Sequence, residues 1–141
     1  MHQPQPALLV KGLKTQFRSY DAVAKAVDDV SLDLYQGETL GLVGESGCGK
    51  SVTALSIMRL IKDPPGRISA EAIRLGELDL LKLSPKQMRK VRGGRISMIF
   101  QEPMTSLNPV FTVGSQIAEM FQTHRGASGS ESWVRAVEML K

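Results

Sequence analysis

Residues 41–51 read GLVGESGCGKS. Within them Gly44, Gly49, Lys50 and Ser51 fit the spacing G-x-x-x-x-G-K-[ST], a pattern whose chemistry is the gripping of phosphate. Backbone N–H groups must converge on phosphate oxygens, and a Cβ at some positions would block that approach or forbid the dihedrals. Lys50 adds one full positive charge for the β- and γ-phosphates, and the Ser51 hydroxyl is a hard oxygen ligand of the kind Mg²⁺ prefers. Cys48 lies inside the loop. Its plainer reading is a small side chain that fits; the sharper one is a reactive thiol at a helix N-terminus, shielded from alkylation when nucleotide is bound.

Such a loop works only between a strand and a helix. The apolar run TLGLVG at 39–44 suits a strand buried on both faces. From Lys50 to Ile61 the residues Val52, Leu55, Met58 and Ile61 recur at i, i+3, so a helix is predicted, stopped by DPPG at 63–66. Its N-terminus aims unpaired N–H groups and a positive dipole end at the same anion.

Upstream, 7–17 reads as a strand with a break at Gly12. Val30, Leu32 and Leu34 alternate with Ser31 and Asp33, which predicts a half-buried strand ending in a turn at Gln36-Gly37. Downstream, 67–75 suggests one further strand. Ser84, Pro85 and Gln87 form a helix-start signal. RISMIFQ at 95–101 predicts a strand with Ile96, Met98 and Phe100 on one face. A helix with Val113, Ile117, Met120 and Phe121 on one side follows, then a loop RGASGSE and a helix from Ser132. The order of elements predicts an α/β layer structure.

The chain has 141 residues, 42% hydrophobic and 23% charged, enough for a globular domain with its own core. A formal net charge of +4 suits phosphate ligands or an anionic surface. One cysteine excludes an internal disulfide and points to a reducing compartment. No run approaches the roughly 18 apolar residues of a membrane span, and the N-terminus has no secretory pattern. The basic residues Lys82, Lys86, Arg89, Lys90, Arg92 and Arg95 raise nucleic acid as a partner. Without interleaved stacking aromatics they read instead as a solvated helix face. His2 and His124 lack metal-ligand spacing.

Gln101 falls at the end of a predicted strand, where ligands gather in α/β sheets, and its amide can offer oxygen to a metal and NH₂ to water or phosphate. The stretches GETLGLVGESGCGKSVTALSIMRL (37–60) and VRGGRISMIFQEPMTSLNPVFTVGSQIAE (91–119) together resemble the ATPase subunits of ABC transporters. QEPMTSLNP within them is similar to the dipeptide, oligopeptide, nickel and glutathione importer branch. The resemblance runs from about Leu8 to Lys141.

It implies a P-loop NTPase (ABC ATPase) core with N-terminal antiparallel strands and the start of a helical subdomain. The implied division is a disordered tail at 1–6, the core at 7–101 and the subdomain start at 102–141. It implies ATP and Mg²⁺ as cofactors. Gly44, Glu45, Ser46, Gly47, Cys48, Gly49, Lys50, Ser51 and Val52 would hold the nucleotide, and Ser51 and Gln101 the metal. Lys50 and Gln101 would act in catalysis, with Gln101 also touching the attacking water. An early-loop aromatic would stack on adenine; Tyr20 is the candidate, Phe17 a weaker one, although the expected position falls nearer Asp21. Met104, Leu107, Val110 and Phe111 are either a coupling surface or subdomain core. The implied partners are a second ABC ATPase domain, as homo- or heterodimer, permease subunits and indirectly a solute-binding protein, with no nucleic acid. The implied location is peripheral, on the cytoplasmic face of the cell membrane.

The family's later motifs (signature, Walker B aspartate, catalytic glutamate and switch histidine) are not in these residues. The expectation is therefore an N-terminal fragment of a longer ATPase, weak in nucleotide binding, without meaningful hydrolysis alone, and poorly folded for want of later strands. Two alternatives stand beside an importer ATPase. One is a soluble P-loop NTPase or kinase, disfavoured by the 98–119 stretch; the other is an ABC-type ATPase acting on nucleic acid.

Overall fold

A computed structural model describes residues 5–102 and 106–141. The chain divides into two compact units, 1–84 and 85–141. The functional division implied by the resemblance falls later, at 101/102.

The first unit is an antiparallel sheet carrying one helix. Strand β1 (Leu8–Arg18) pairs with β2 (Val23–Leu34) on one side. On its other side it pairs with β3 (Gly66–Ser69) along 14–17 and with β4 (Ala72–Leu75) along 8–11. β5 (Leu78–Asp79) then pairs with β4. The predicted break at Gly12 is present: the β1–β2 ladder is interrupted there, and the Gly12 N–H donates to the Ser31 hydroxyl at 2.9 Å. The single strand expected over 67–75 is two strands. The chain leaves the ladder at Ala70-Glu71, opposite the same irregularity, and the Glu71 N–H donates to the Lys11 carbonyl at 3.0 Å.

Val10, Leu13, Ile73 and Leu80 are wholly buried in this unit. Burial of such a side chain is worth about 1.5–3 kcal/mol, so these four are the main hydrophobic support of the unit. The half-buried alternation of Val30, Leu32 and Leu34 is as expected, and so is the turn at Gln36-Gly37.

Helix α1 (Lys50–Ile57) is shorter than predicted. It ends before the prolines because Arg59 takes φ 52° and closes the helix end: the Leu60 N–H reaches the Leu55 carbonyl at 2.8 Å, and the Arg59 N–H the Ser56 carbonyl at 2.9 Å. Glycine is the usual residue at this left-handed position. Here the Arg59 guanidinium offsets the strain by donating to the Leu80 and Leu83 carbonyls at 2.7 and 2.6 Å.

The predicted strand at 39–44 does not form. Residues 38–44 are irregular and exposed, with Val43 90% exposed. An apolar run becomes a buried parallel strand only when neighbouring strands supply hydrogen bonds on both edges and cover both faces. No described strand pairs with this run.

In the second unit, helix α2 (Pro85–Val91) begins at the predicted proline. The strand expected at 95–101 reduces to an isolated bridge between Arg92 and Ile96, and Ile99 is 98% exposed, for the same lack of a pairing strand. Helix α3 (Val113–Arg125) is capped by Thr112, whose hydroxyl accepts from the Ser115 N–H, and ends at Gly126 with φ 65°. Helix α4 (Gly129–Met139) starts three residues earlier than predicted. Ser128 caps it by accepting from the Glu131 N–H, an S-x-x-E signal that the loop composition obscured.

α3 and α4 pack through small residues. Ala118, Ser132 and Ala136 are buried, and Gln122 Nε2 donates to Ser132 Oγ at 2.8 Å. Of the expected apolar side of α3, Ile117 and Phe121 are half-buried, while Val113 and Met120 remain exposed.

Candidate functional site

The loop 44–49 leads directly into α1, and Gly49 is the helix N-cap with φ 97°. Its lack of a side chain has two causes. That φ disfavours any L residue, and a Cβ would run into the Ala26 carbonyl oxygen of β2. Gly49 thus lets the helix start lie against the sheet backbone. Thr53, unremarked in the sequence reading, locks the join: its N–H and its hydroxyl both donate to the Gly49 carbonyl, at 2.8 and 3.0 Å. Its signal was available, as a hydroxyl one helical turn beyond the cap.

With glycine at the cap, no side chain occupies the first-turn N–H groups of α1. They are left for a ligand, with the positive end of the helix dipole behind them. The Lys50 ammonium folds back over the loop and donates to the carbonyls of Gly44 and Glu45 at 2.8 and 2.7 Å; Cys48 Sγ lies 3.6 Å from it. The loop therefore concentrates N–H dipoles, a helix end and one ammonium in a few residues. An anionic oxygen is a stronger partner for the ammonium than either carbonyl, because it brings a full opposite charge where a carbonyl has only a dipole. The residues present thus fit a polyphosphate.

Ser51, in the first turn of α1, is exposed and its hydroxyl has no hydrogen-bond partner among the described residues. Its oxygen is a hard donor of the type Mg²⁺ takes. Tyr20 sits at the tip of the β1–β2 hairpin, where the Ser19 N–H donates to the Ala22 carbonyl at 2.9 Å; its ring is fully exposed. Gln101 lies in the second unit and is exposed. Leu107, Val110 and Phe111 are exposed rather than core, and Met104 lies outside the described residues.

The ABC transporter family model matches residues 27–141, which takes in the phosphate loop, α1 and Gln101. This chain belongs to the ABC transporter family. A protein of Sinorhizobium fredii described as a probable peptide ABC transporter ATP-binding protein is 53% identical over 133 residues, which are 94% of this chain and 39% of that protein. The dipeptide transport ATP-binding protein of Haemophilus influenzae is 50% identical over 132 residues, 94% of this chain and 40% of that one. Among solved structures, a dimeric ATP-binding cassette in a post-hydrolysis state, bound to ADP and Pi, superposes with a TM-score of 0.79 at 25% identity, covering 94% of this chain and 55% of that chain. The expected α/β ABC ATPase fold is borne out by that superposition. The chain spans about two fifths of the length of these two relatives. Among the described residues, no helix of this ABC family member is long and apolar enough to cross a membrane.

Proposed function

We propose that this ABC family member is the ATP-binding part of an importer for peptides or related small solutes. ATP binding and hydrolysis by the whole protein would drive uptake through permease subunits. The observation that carries the reading is the 44–51 loop, where a glycine N-cap, an uncapped helix end and the Lys50 ammonium are combined. The peptide-type cargo is supported by the relatives' descriptions and by the QEPMTSLNP stretch. Dimerisation with a second ATPase domain is supported by the dimeric cassette that superposes on this chain.

In this proposal, Gly44–Ser51 and Val52 hold the phosphates and Lys50 neutralises the β- and γ-oxygens. Ser51 and Gln101 supply oxygen to Mg²⁺, which when bound neutralises charge on the transferring phosphoryl group. Gln101 orients water, and Tyr20 offers a ring face to adenine. Leu107, Val110 and Phe111 form an apolar surface suited to a permease partner at the cytoplasmic face, and their exposure supports that role over subdomain core. Cargo selection belongs to the permease and an external solute-binding protein.

The test is calorimetric titration of the chain with MgATP beside Lys50→Ala. The substitution is expected to weaken binding about 10- to 100-fold, the loss of one charge-assisted donor set. Equal affinity in the two proteins, each shown folded by circular dichroism, would refute the reading.

A further inference from the structure

Helix α1 carries two hydroxyls that its own stability does not call for. Thr53 and Ser56 each donate back to the carbonyl four residues earlier, Gly49 at 3.0 Å and Val52 at 2.6 Å. Such back-bonding slightly destabilises a helix, and alanine or leucine would suit both positions better by propensity alone. Both residues are buried against the sheet, where apolar side chains of the same shape would pack about equally well.

The hydrogen bonds all run in one direction. Ser56 Oγ spends its single hydrogen on the Val52 carbonyl, so the Thr15 hydroxyl is the donor to Ser56 Oγ, at 2.7 Å. The Val52 carbonyl and the Thr53 N–H are opposite ends of one planar peptide unit. That N–H donates to the Gly49 carbonyl at 2.8 Å, and the Thr53 hydroxyl is a second donor to the same oxygen. The Gly49 carbonyl and the Lys50 N–H are again opposite ends of one peptide unit. The Lys50 N–H is the last donor of the series and has no partner among the described residues.

We propose that Thr53, backed by Ser56 and Thr15, is a positioning residue for the phosphate site: the series aims and polarises the Lys50 N–H for a phosphate oxygen. The proposal rests on the nucleotide reading and deepens it. Two donors on the Gly49 carbonyl fix the tilt of its peptide plane, and with it the direction of the Lys50 N–H. Aligned hydrogen bonds strengthen one another by about 10–30% per bond. The gain is greatest where the last acceptor is anionic. Both ends of the series are held by the sheet. Thr15 is wholly buried in β1, which pairs there with β2 and β3, and Gly49 lies so near β2 that a Cβ would meet the Ala26 carbonyl. A donor fixed in this way needs little reorganisation when charge arrives.

The test uses the whole chain and MgATP. Thr53→Val keeps the shape and the backbone donor, removes only the hydroxyl, and leaves no buried group without a partner. Calorimetry is expected to show affinity lower by roughly 3- to 10-fold, with no fall in the urea midpoint, and Thr53→Ser should restore most of the loss. At saturation, the downfield shift of the Lys50 amide proton in NMR should be smaller in Thr53→Val than in the parent. A role in packing alone would move stability and leave that shift and the affinity of the folded chain in place. The second variant, Thr15→Val with Ser56→Ala, removes the rest of the series without an orphan and should weaken binding at least about twofold. Parent-like affinity and Lys50 shift in Thr53→Val, or a Thr53→Ser protein as weak as Thr53→Val, would overturn the proposal and leave the nucleotide reading standing. A parent chain whose Lys50 amide proton does not respond to MgATP would overturn both.

Discussion

The hydroxyls of Thr15 and Ser56 meet at 2.7 Å in the core of the first unit, both fully buried. Ser56 Oγ also donates to the Val52 carbonyl at 2.6 Å, so its single hydrogen is committed and Thr15 is the donor of the pair. This bond ties α1, and with it the phosphate loop, to the central strand of the sheet. Ser56→Ala would leave the Thr15 hydroxyl buried without an acceptor, at a cost of about 1–3 kcal/mol. Thr15→Val added to it removes the orphan, and the double variant should recover much of the loss. Urea unfolding of the four proteins of the cycle measures the coupling. A double variant whose loss equals the sum of the two single ones would contradict this arrangement.

Gly49→Ala tests the join between loop and sheet. The substitution forces an L residue to φ 97° and drives a methyl into the Ala26 carbonyl. A strained backbone of this kind costs about 1–3 kcal/mol before any clash is counted. The expected outcome is a fall in unfolding free energy of at least that size together with loss of MgATP binding. Unchanged stability would mean that the close approach of α1 to β2 does not exist in solution.

Cys48 is exposed, and its Sγ lies 3.6 Å from the Lys50 ammonium. In the proposed site a polyphosphate seated on the loop would cover both groups. Alkylation by a small maleimide should therefore slow at least about tenfold when MgATP saturates the protein, since a bound ligand restricts the reagent to the free fraction. The rate is read by mass spectrometry. Equal rates with and without MgATP would separate Cys48 from the bound phosphates.

The elements of the chain differed in how well their residues could be read in advance. Gly49, Lys50 and α1 were legible because a local pattern carries them: a positive-φ glycine followed at once by a helix. The same holds for β2, where alternation is an intrinsic signature of a half-buried strand, and for the start of α2 at Pro85. The runs 39–44 and 95–101 were misread, because their apolar character matches a buried strand while strand formation depends on pairing partners that local pattern cannot specify. Val43 and Ile99 stand exposed for that reason. Residues 67–75 were merged because the break between β3 and β4 is set by the Gly12 irregularity of β1, nearly sixty residues away in the chain.

The α3–α4 hairpin gives a prediction for the second unit that periodicity alone would reverse. Reading helical faces by large apolar residues makes Val113, Ile117, Met120 and Phe121 the contact, yet Val113 and Met120 are exposed, Ile117 and Phe121 only half-buried, and the fully buried positions are Ala118, Ser132 and Ala136. Close approach of the helices is also visible at Gly114, where a Cβ would fall 2.6 Å from the Trp133 ring. Such an interface has no room for added volume. Ala136→Leu should therefore destabilise the unit by about 1–3 kcal/mol, the usual cost of overpacking, although leucine is the better apolar residue. Met120→Ala, at an exposed site, should stay within about 0.5 kcal/mol of the parent. Trp133 fluorescence during urea unfolding reports on this unit directly, since it is the only tryptophan. If Ala136→Leu were neutral and Met120→Ala costly, the helices would be packed through the large apolar face instead, and the small-residue seam would be wrong.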